Sequence, residues 1–182
     1  MQYDDYKLIG GHPQLYFHGT KYDRINQILF LDYPREEPLI FRDLSWLLDS
    51  VIFGYNRPFG YHFGNVVYHA ITVVLAFLLF LRLTNFRTAL LSSVMVTVLA
   101  VNVEPVAWVM GRKDILSALC GLLSIHLFLK FRSPNAGRKK NWAYFGALLF
   151  ASAAYLSKLS AVVLPGLLFL CAMIDNRHES RR

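Results

Sequence analysis

Three features of this 182-residue chain predict an all-α polytopic membrane protein, with about five transmembrane helices and an extracytosolic N-terminal segment bearing interfacial helices. First, hydrophobic residues make up 55% of the chain and charged residues 17%, where a soluble domain carries about 45–50% and about 25%. A soluble globule of this size keeps much of its surface in water and needs the charge that is missing here. Second, five stretches, at 62–81, 88–103, 115–129, 141–157 and 159–174, contain no Asp, Glu, Lys or Arg. Third, the basic residues between those stretches fall on alternate connections. The composition excludes a disordered chain and a nucleic-acid-binding one, and it makes the membrane itself a partner.

The net charge of +7 divides unevenly. Residues 1–61 hold six Lys/Arg against eight Asp/Glu, and residues 62–182 hold thirteen against four. Three units follow: a first-loop segment at 1–61 with an interfacial helix, a transmembrane helical region at 62–176, and a basic tail at 177–182. In the first unit, PLIFRDLSWLLDSVIFG places Leu39, Ile40, Leu44, Leu47, Leu48 and Val51 near helical spacing and ends at Gly54. Such a helix lies along the bilayer surface, and core packing within the segment explains the same pattern equally well.

Among the apolar stretches, 62–81 meets the roughly 20-residue requirement for a spanning helix outright. The other four are shorter and need helices that run past their charged ends, tilt, or pack inside a bundle. Arg82 and Arg87 separate the first two stretches. Lys130, Arg132, Arg138, Lys139 and Lys140 separate the third from the fourth, and Arg177, Arg181 and Arg182 follow the fifth. The positive-inside rule then puts those connections and the C-terminus in the cytosol, and residues 1–61 outside it, in a bacterial inner membrane or the endoplasmic reticulum. No signal peptide or apolar run near Met1 delivers 1–61 across a membrane. A transmembrane helix is therefore expected upstream, and the chain is read as an internal piece of a larger membrane protein. Cys120 and Cys171 lie inside apolar runs and read as small buried hydrophobes.

The candidate chemistry lies on the outer side. Asp4 and Asp5 are a carboxylate pair that can hold a divalent cation or supply a general base. Glu104 is the only acid between Asp49 and Asp114, in a turn where Pro105 suits the first residue of a helix. As a helix N-terminal charge it is favoured by the dipole alone. With the helix starting at Pro105, Arg112, Lys113 and Asp114 lie about two turns inside it, roughly 10 Å from its outer end. Ionisable groups at that depth face a water-filled cavity or bind charge. Arg112 and Lys113 suit a phosphate, and Asp114 suits an ion pair with either of them. His62, Asn65 and His69 share one helical stripe, which reads as polar glue between helices or, for the two histidines, as metal ligation. Lys158 reads as a snorkelling lysine or a phosphate contact.

The segments DDYKLIG, RPFGYHFGNVVYH, VNVEPVAWVMGRKDILSALCGLL and YLSKLSAVVLPGLLFL resemble the membrane domain of the transmembrane and tetratricopeptide repeat-containing O-mannosyltransferases and their bacterial relatives, which are GT-C glycosyltransferases. The resemblance implies transfer of a sugar from a polyprenyl-phosphate donor to a hydroxyl of a protein or glycan acceptor on the extracytosolic face. It implies a catalytic acid at Asp4 or Asp5, and a metal-holding (Mg²⁺ or Mn²⁺) or phosphate-positioning role at Glu104 with Asn102 and Asp114. Donor-phosphate contacts are implied at Arg112, Lys113 and Lys158, with His62, Asn65 and His69 behind them. The chain departs from the family pattern in two places. Relatives often show His-Pro-x-His-x-Glu where this chain has Leu99-Ala100-Val101-Asn102-Val103-Glu104, and Ser-Lys-Glu where it has Ser157-Lys158-Leu159. Rival readings from the residues are a transporter or channel element, which places ionisable groups near the midplane, and a noncatalytic assembly subunit.

Overall fold

The computed structural model describes positions 23, 25, 26 and 29 and residues 39–54, 57–99, 103–133 and 140–179. Every element among them is helical: α1 (Ile40–Phe53), α2 (Pro58–Leu83), α3 (Phe86–Val98), α4 (Val103–Ala107), α5 (Arg112–Arg132), α6 (Lys140–Ser157) and α7 (Leu164–Glu179), with 3₁₀ turns at Val109–Gly111 and Leu159–Val163.

The helices begin and end where the local chemistry dictates. Pro58 opens α2, where its missing N–H costs nothing. Asn85 caps α3 by accepting from the Thr88 N–H at 3.1 Å. Gly54 closes α1 at φ +87°, a conformation that glycine adopts without strain, while its N–H donates to the Ser50 carbonyl.

Two helical segments, Pro58–Leu83 and Val109–Arg132, are long and apolar enough to cross a membrane. These are the spans among the described residues, where the sequence predicts about five. α3 has 13 residues, a rise of roughly 20 Å against a hydrocarbon core of about 30 Å. The segment Leu159–Asp175 is likewise apolar but shorter. α7 continues helical to Glu179 and so runs past residue 176.

α5 is the centre of the bundle. It packs antiparallel on α6 through small residues, with Ser117 Oγ donating to the Ala154 carbonyl and Ser124 Oγ to the Ala147 carbonyl at 2.8 Å. Alanines 143, 147, 153 and 154 are buried there. Close backbone approach of this kind is how apolar helices associate where hydrophobicity alone gives no preference for a partner over lipid. α2 runs parallel to α5: contacts from Arg112 to Tyr61 and Asn65, from His126 to Leu75 and from Arg82 to Leu129 keep a sequence offset of 47 to 51 along their length. α7 joins them at the far end, where Arg82 forms a two-pronged ion pair with Asp175 at 2.7 and 2.9 Å and also donates to the Leu129 carbonyl. The bundle therefore has a basic end, carrying Arg82, Arg87, Lys130, Arg132 and Lys140, and an opposite end onto which α1 folds. Both cysteines are free thiols inside the helices, as the apolar runs suggested.

Candidate functional site

α1 is turned inside out relative to a soluble amphipathic helix. Its polar side chains Arg42, Asp43, Ser45 and Asp49 are buried with Trp46, while Leu48, Val51 and Ile52 are about half exposed or more. That apolar face continues into Phe53, Phe59 and Phe63, whose rings contact one another at 5.7–6.3 Å. The sequence spacing found the helix and its end, but not which face turns inward.

What draws the polar face inward is Arg112, whose side chain is wholly buried. Its Nε donates to Asn65 Oδ1 at 2.7 Å, Nη2 to the Tyr61 carbonyl at 2.5 Å and Nη1 to Ser45 Oγ at 3.3 Å. Asp49 Oδ2 stands 2.5 Å from Nη1 as an ion pair, at an angle outside hydrogen-bond geometry. A buried guanidinium is tolerated only when paired and hydrogen-bonded in this way. Burial pushes the Asp49 carboxyl above its ordinary pKa, and the neighbouring Arg112 charge opposes that shift. Gly64 leaves room for the pair, since a Cβ there would lie 2.8 Å from both Arg112 Nη2 and Asp49 Oδ2.

Asn65 completes the arrangement. Its Nδ2 lies 3.1–3.3 Å from the carbonyls of Pro105, Val106 and Trp108. Those carbonyls lie where the helix expected to start at Pro105 breaks: α4 ends at Ala107, Trp108 is extended and its carbonyl also accepts from the Gly111 N–H at 3.0 Å, and α5 begins only at Arg112. Gly111 permits the bend, because a Cβ there would come within 2.4 Å of Pro105 Cα. Arg112, Lys113 and Asp114 thus occupy the first turn of α5 instead of lying two turns inside a helix. The break follows from tertiary contact, since a carbonyl released from a helix is stable in an apolar bundle only if some side chain takes it.

Asp114 pairs with Lys158 across the α5–α6 gap, a partner that the sequence did not suggest. This pair stands at a cavity of about 460 Å³ walled by α2, α3, α5 and α7 and lined among others by Thr72, Ala76, Ile115, Gly121, Ile125, Leu164 and Leu167. The lining is apolar apart from Asp114, Lys158, His69 and a few hydroxyls. A second hollow of about 360 Å³ holds His62, Val66, His69, Thr97, Val103, Val106 and Ala107, so His69 borders both spaces.

The sequence-predicted residues thus separate into groups. Asp114 and Lys158 come together at the groove. Arg112, expected on a donor phosphate, is absent from the groove lining and committed to Asp49, Asn65, Ser45 and Tyr61. Asn65 is the buried glue of its stripe, with His62 and His69 partly exposed beside it. Glu104 is exposed in the first turn of α4, and Lys113 is partly exposed. Asp4, Asp5 and Asn102 lie outside the described residues. Sequence reasoning missed Asp49, Ser45 and Tyr61. The signal for Asp49 is the polar face that it shares at helical spacing with Arg42 and Ser45. Among the described residues, no three His, Cys, Asp or Glu side chains stand together as a metal would require.

A helical bundle with spanning segments and an apolar groove bearing an ion pair is the architecture of a membrane protein. The chain belongs to the dolichyl-phosphate-mannose-protein mannosyltransferase family, whose model matches residues 41–181. It is 30% identical over 142 residues to protein O-mannosyl-transferase Tmtc2 of Drosophila melanogaster, covering 72% of this chain and 14% of that protein. It is 32% identical over 134 residues to Tmtc1 of the same fly, covering 72% and 15%. With the mouse protein O-mannosyl-transferase TMTC2 it shares 32% over 128 residues, covering 65% and 14%. The chain spans about one seventh of the length of these curated relatives. No solved structure matches it.

Proposed function

We propose that this chain forms part of a GT-C type enzyme that transfers a sugar, mannose by the family's name, from a polyprenyl-phosphate donor to a protein or glycan hydroxyl. The observation that carries the reading is the apolar groove ending in the Asp114–Lys158 pair. An isoprenoid tail needs an apolar channel, and a phosphodiester at its head needs a cation at the end of that channel.

In this reading Lys158 and Lys113 meet the donor phosphate, and Asp114 holds Lys158 in place until the phosphate arrives. Asp4 or Asp5 removes the acceptor hydroxyl proton as its oxygen attacks the anomeric carbon. The new C–O bond forms as the anomeric carbon–phosphate oxygen bond breaks, the phosphate leaves with the electron pair, and the single displacement inverts the carbon. Cations stabilise the leaving charge. Glu104, with Asn102, positions charge at the donor. The described residues do not by themselves form a site for Mg²⁺ or Mn²⁺, and no step here passes through a metal. The chemistry belongs on the extracytosolic face, with the basic end of the bundle and the C-terminus in the cytosol, because the basic residues cluster at that end.

The test is transfer of radiolabelled mannose from dolichyl-phosphate mannose, in membranes containing the full-length protein. Lys158→Gln is expected to raise the donor KM. Asp→Asn at the catalytic acid is expected to keep donor binding and lower the rate by about 10² to 10⁴. Wild-type turnover in both Asp4→Asn and Asp5→Asn would remove the catalytic assignment and favour a noncatalytic role.

A further inference from the structure

We infer that Arg112 is a positioning residue of the transfer site: through Asp49 it holds α1 against the first turn of α5, and through Asn65 it holds the bend from which Asp114 reaches Lys158. The inference rests on reading the groove as the donor site.

Arg112 has no path to the groove. Its guanidinium is fully buried and its partners come from two other helices, Ser45 and Asp49 on α1 and Tyr61 and Asn65 on α2. A phosphate could reach it only by displacing the Asp49 carboxylate and stranding it in a buried position, which is unfavourable. Two glycines shape the same cluster, Gly64 against the ion pair and Gly111 against Pro105, and a Cβ at either would collide with it. The backbone of α5 at Arg112 is therefore held from three sides: by the charge on α1, by the main chain of α2 and by the amide that gathers the three carbonyls of the bend.

Asp114 is two residues further along that same turn, and its carboxylate fixes Lys158 at the mouth of the groove. Any rotation of the first turn of α5 carries Asp114 with it. Misplacing a catalytic group by about 1 Å costs about 10²-fold in rate even when substrate still binds. A guanidinium suits this task because its planar fork serves several acceptors in fixed directions, which an ammonium cannot do. The cluster also ties the first-loop helix to the donor end, so α1 docks in one place over the site.

The experiment compares Arg112→Lys, Asp49→Asn, their double variant and Lys158→Gln in the full-length protein. Mannose transfer from dolichyl-phosphate mannose is measured together with hydrogen exchange of the backbone amides of residues 40–53. Arg112→Lys and Asp49→Asn are each expected to lower kcat at least about tenfold with donor KM within about twofold of wild type. The double variant should be no worse than Arg112→Lys alone, and both single variants should speed exchange in α1. Lys158→Gln should raise KM and leave α1 exchange unchanged. A raised KM in Arg112→Lys with wild-type kinetics in Asp49→Asn would make Arg112 a phosphate ligand and overturn the inference. Wild-type kcat and wild-type exchange in both variants would overturn it as well. If the wild-type protein does not use this donor, the donor reading fails, and the exchange arm still decides: α1 protection unchanged in both variants sinks the clasp. Should Arg112→Lys fail to accumulate, the near-isosteric Asp49→Asn carries the comparison.

Discussion

The two ends of the bundle each tie helices together with an Arg–Asp ion pair, and each arginine also takes a main-chain carbonyl: Tyr61 for Arg112 and Leu129 for Arg82. They differ in burial. The carboxylates are alike, Asp49 6% and Asp175 9% exposed, but the Arg112 side chain is 0% exposed and that of Arg82 30%. At the basic end water shares the charge, so the pair is a fastening among several. At the site end nothing else can solvate the guanidinium, so α1, the bend and the start of α5 are obliged to form together. A buried pair is weak evidence of net stabilisation but strong evidence of specified geometry, because losing one partner leaves the other charge uncompensated.

The largest expected effect follows from breaking the buried pair. Arg112→Ala should lower stability to thermal unfolding in detergent by about 3 to 5 kcal/mol, the cost typical of removing one partner of a buried pair. A loss no larger than that of Arg82→Ala would show that the two ends are equivalent after all. Next in size is Gly111→Ala, which forces a methyl into the Pro105 backbone; overpacking of this kind costs about 1 to 3 kcal/mol. Gly64→Ala meets only side-chain ends and should cost less by the same measurement, with the order reversed if the ion pair is stiffer than the bend.

At the basic end, Arg82→Gln should cost about 0.2 to 1 kcal/mol, the range for pairs that water reaches, and the loss should shrink further at high salt. A salt-independent loss of several kcal/mol would make this pair functionally buried. The smallest effect is a pH slope. The Asp49 carboxyl has a folded pKa raised by burial, so its contribution to stability is present in full below the ordinary carboxyl pKa and is lost as pH rises through the folded value. Wild-type protein should therefore lose some stability across that acidic window as pH increases, and Asp49→Asn should flatten the slope. An unchanged slope in the variant would assign the dependence to another group.

The reach of sequence reasoning differs between these regions. At the basic end it was nearly complete, because Arg82, Arg87, Lys130, Arg132 and Lys140 act through position along the chain: a cation after an apolar run marks a helix end whatever it touches. The same local reasoning located α1 and its stop at Gly54. At the other end it placed Arg112 on a substrate phosphate. A guanidinium offers the same donors to a phosphate, a carboxylate or a carbonyl, and its position in the sequence does not choose among them.

By itself, then, the amino-acid order determined an all-helical apolar bundle, the separation of a basic end from an acid-bearing one, the family, and the residue types available for charge. The family was read from the resemblance of whole segments, and the rest follows from composition and from periodicity of 3.6 residues, which are local properties. Tertiary structure alone decided that the helix after Glu104 breaks at Trp108 and that α1 turns its charged face inward. It also decided that Asp114 answers Lys158 while Arg112 answers Asp49. Each of these depends on where a buried charge or a released carbonyl finds its partner in an apolar interior. The partners stand 40 to 63 residues apart in the chain, and only their meeting in space makes the arrangement stable.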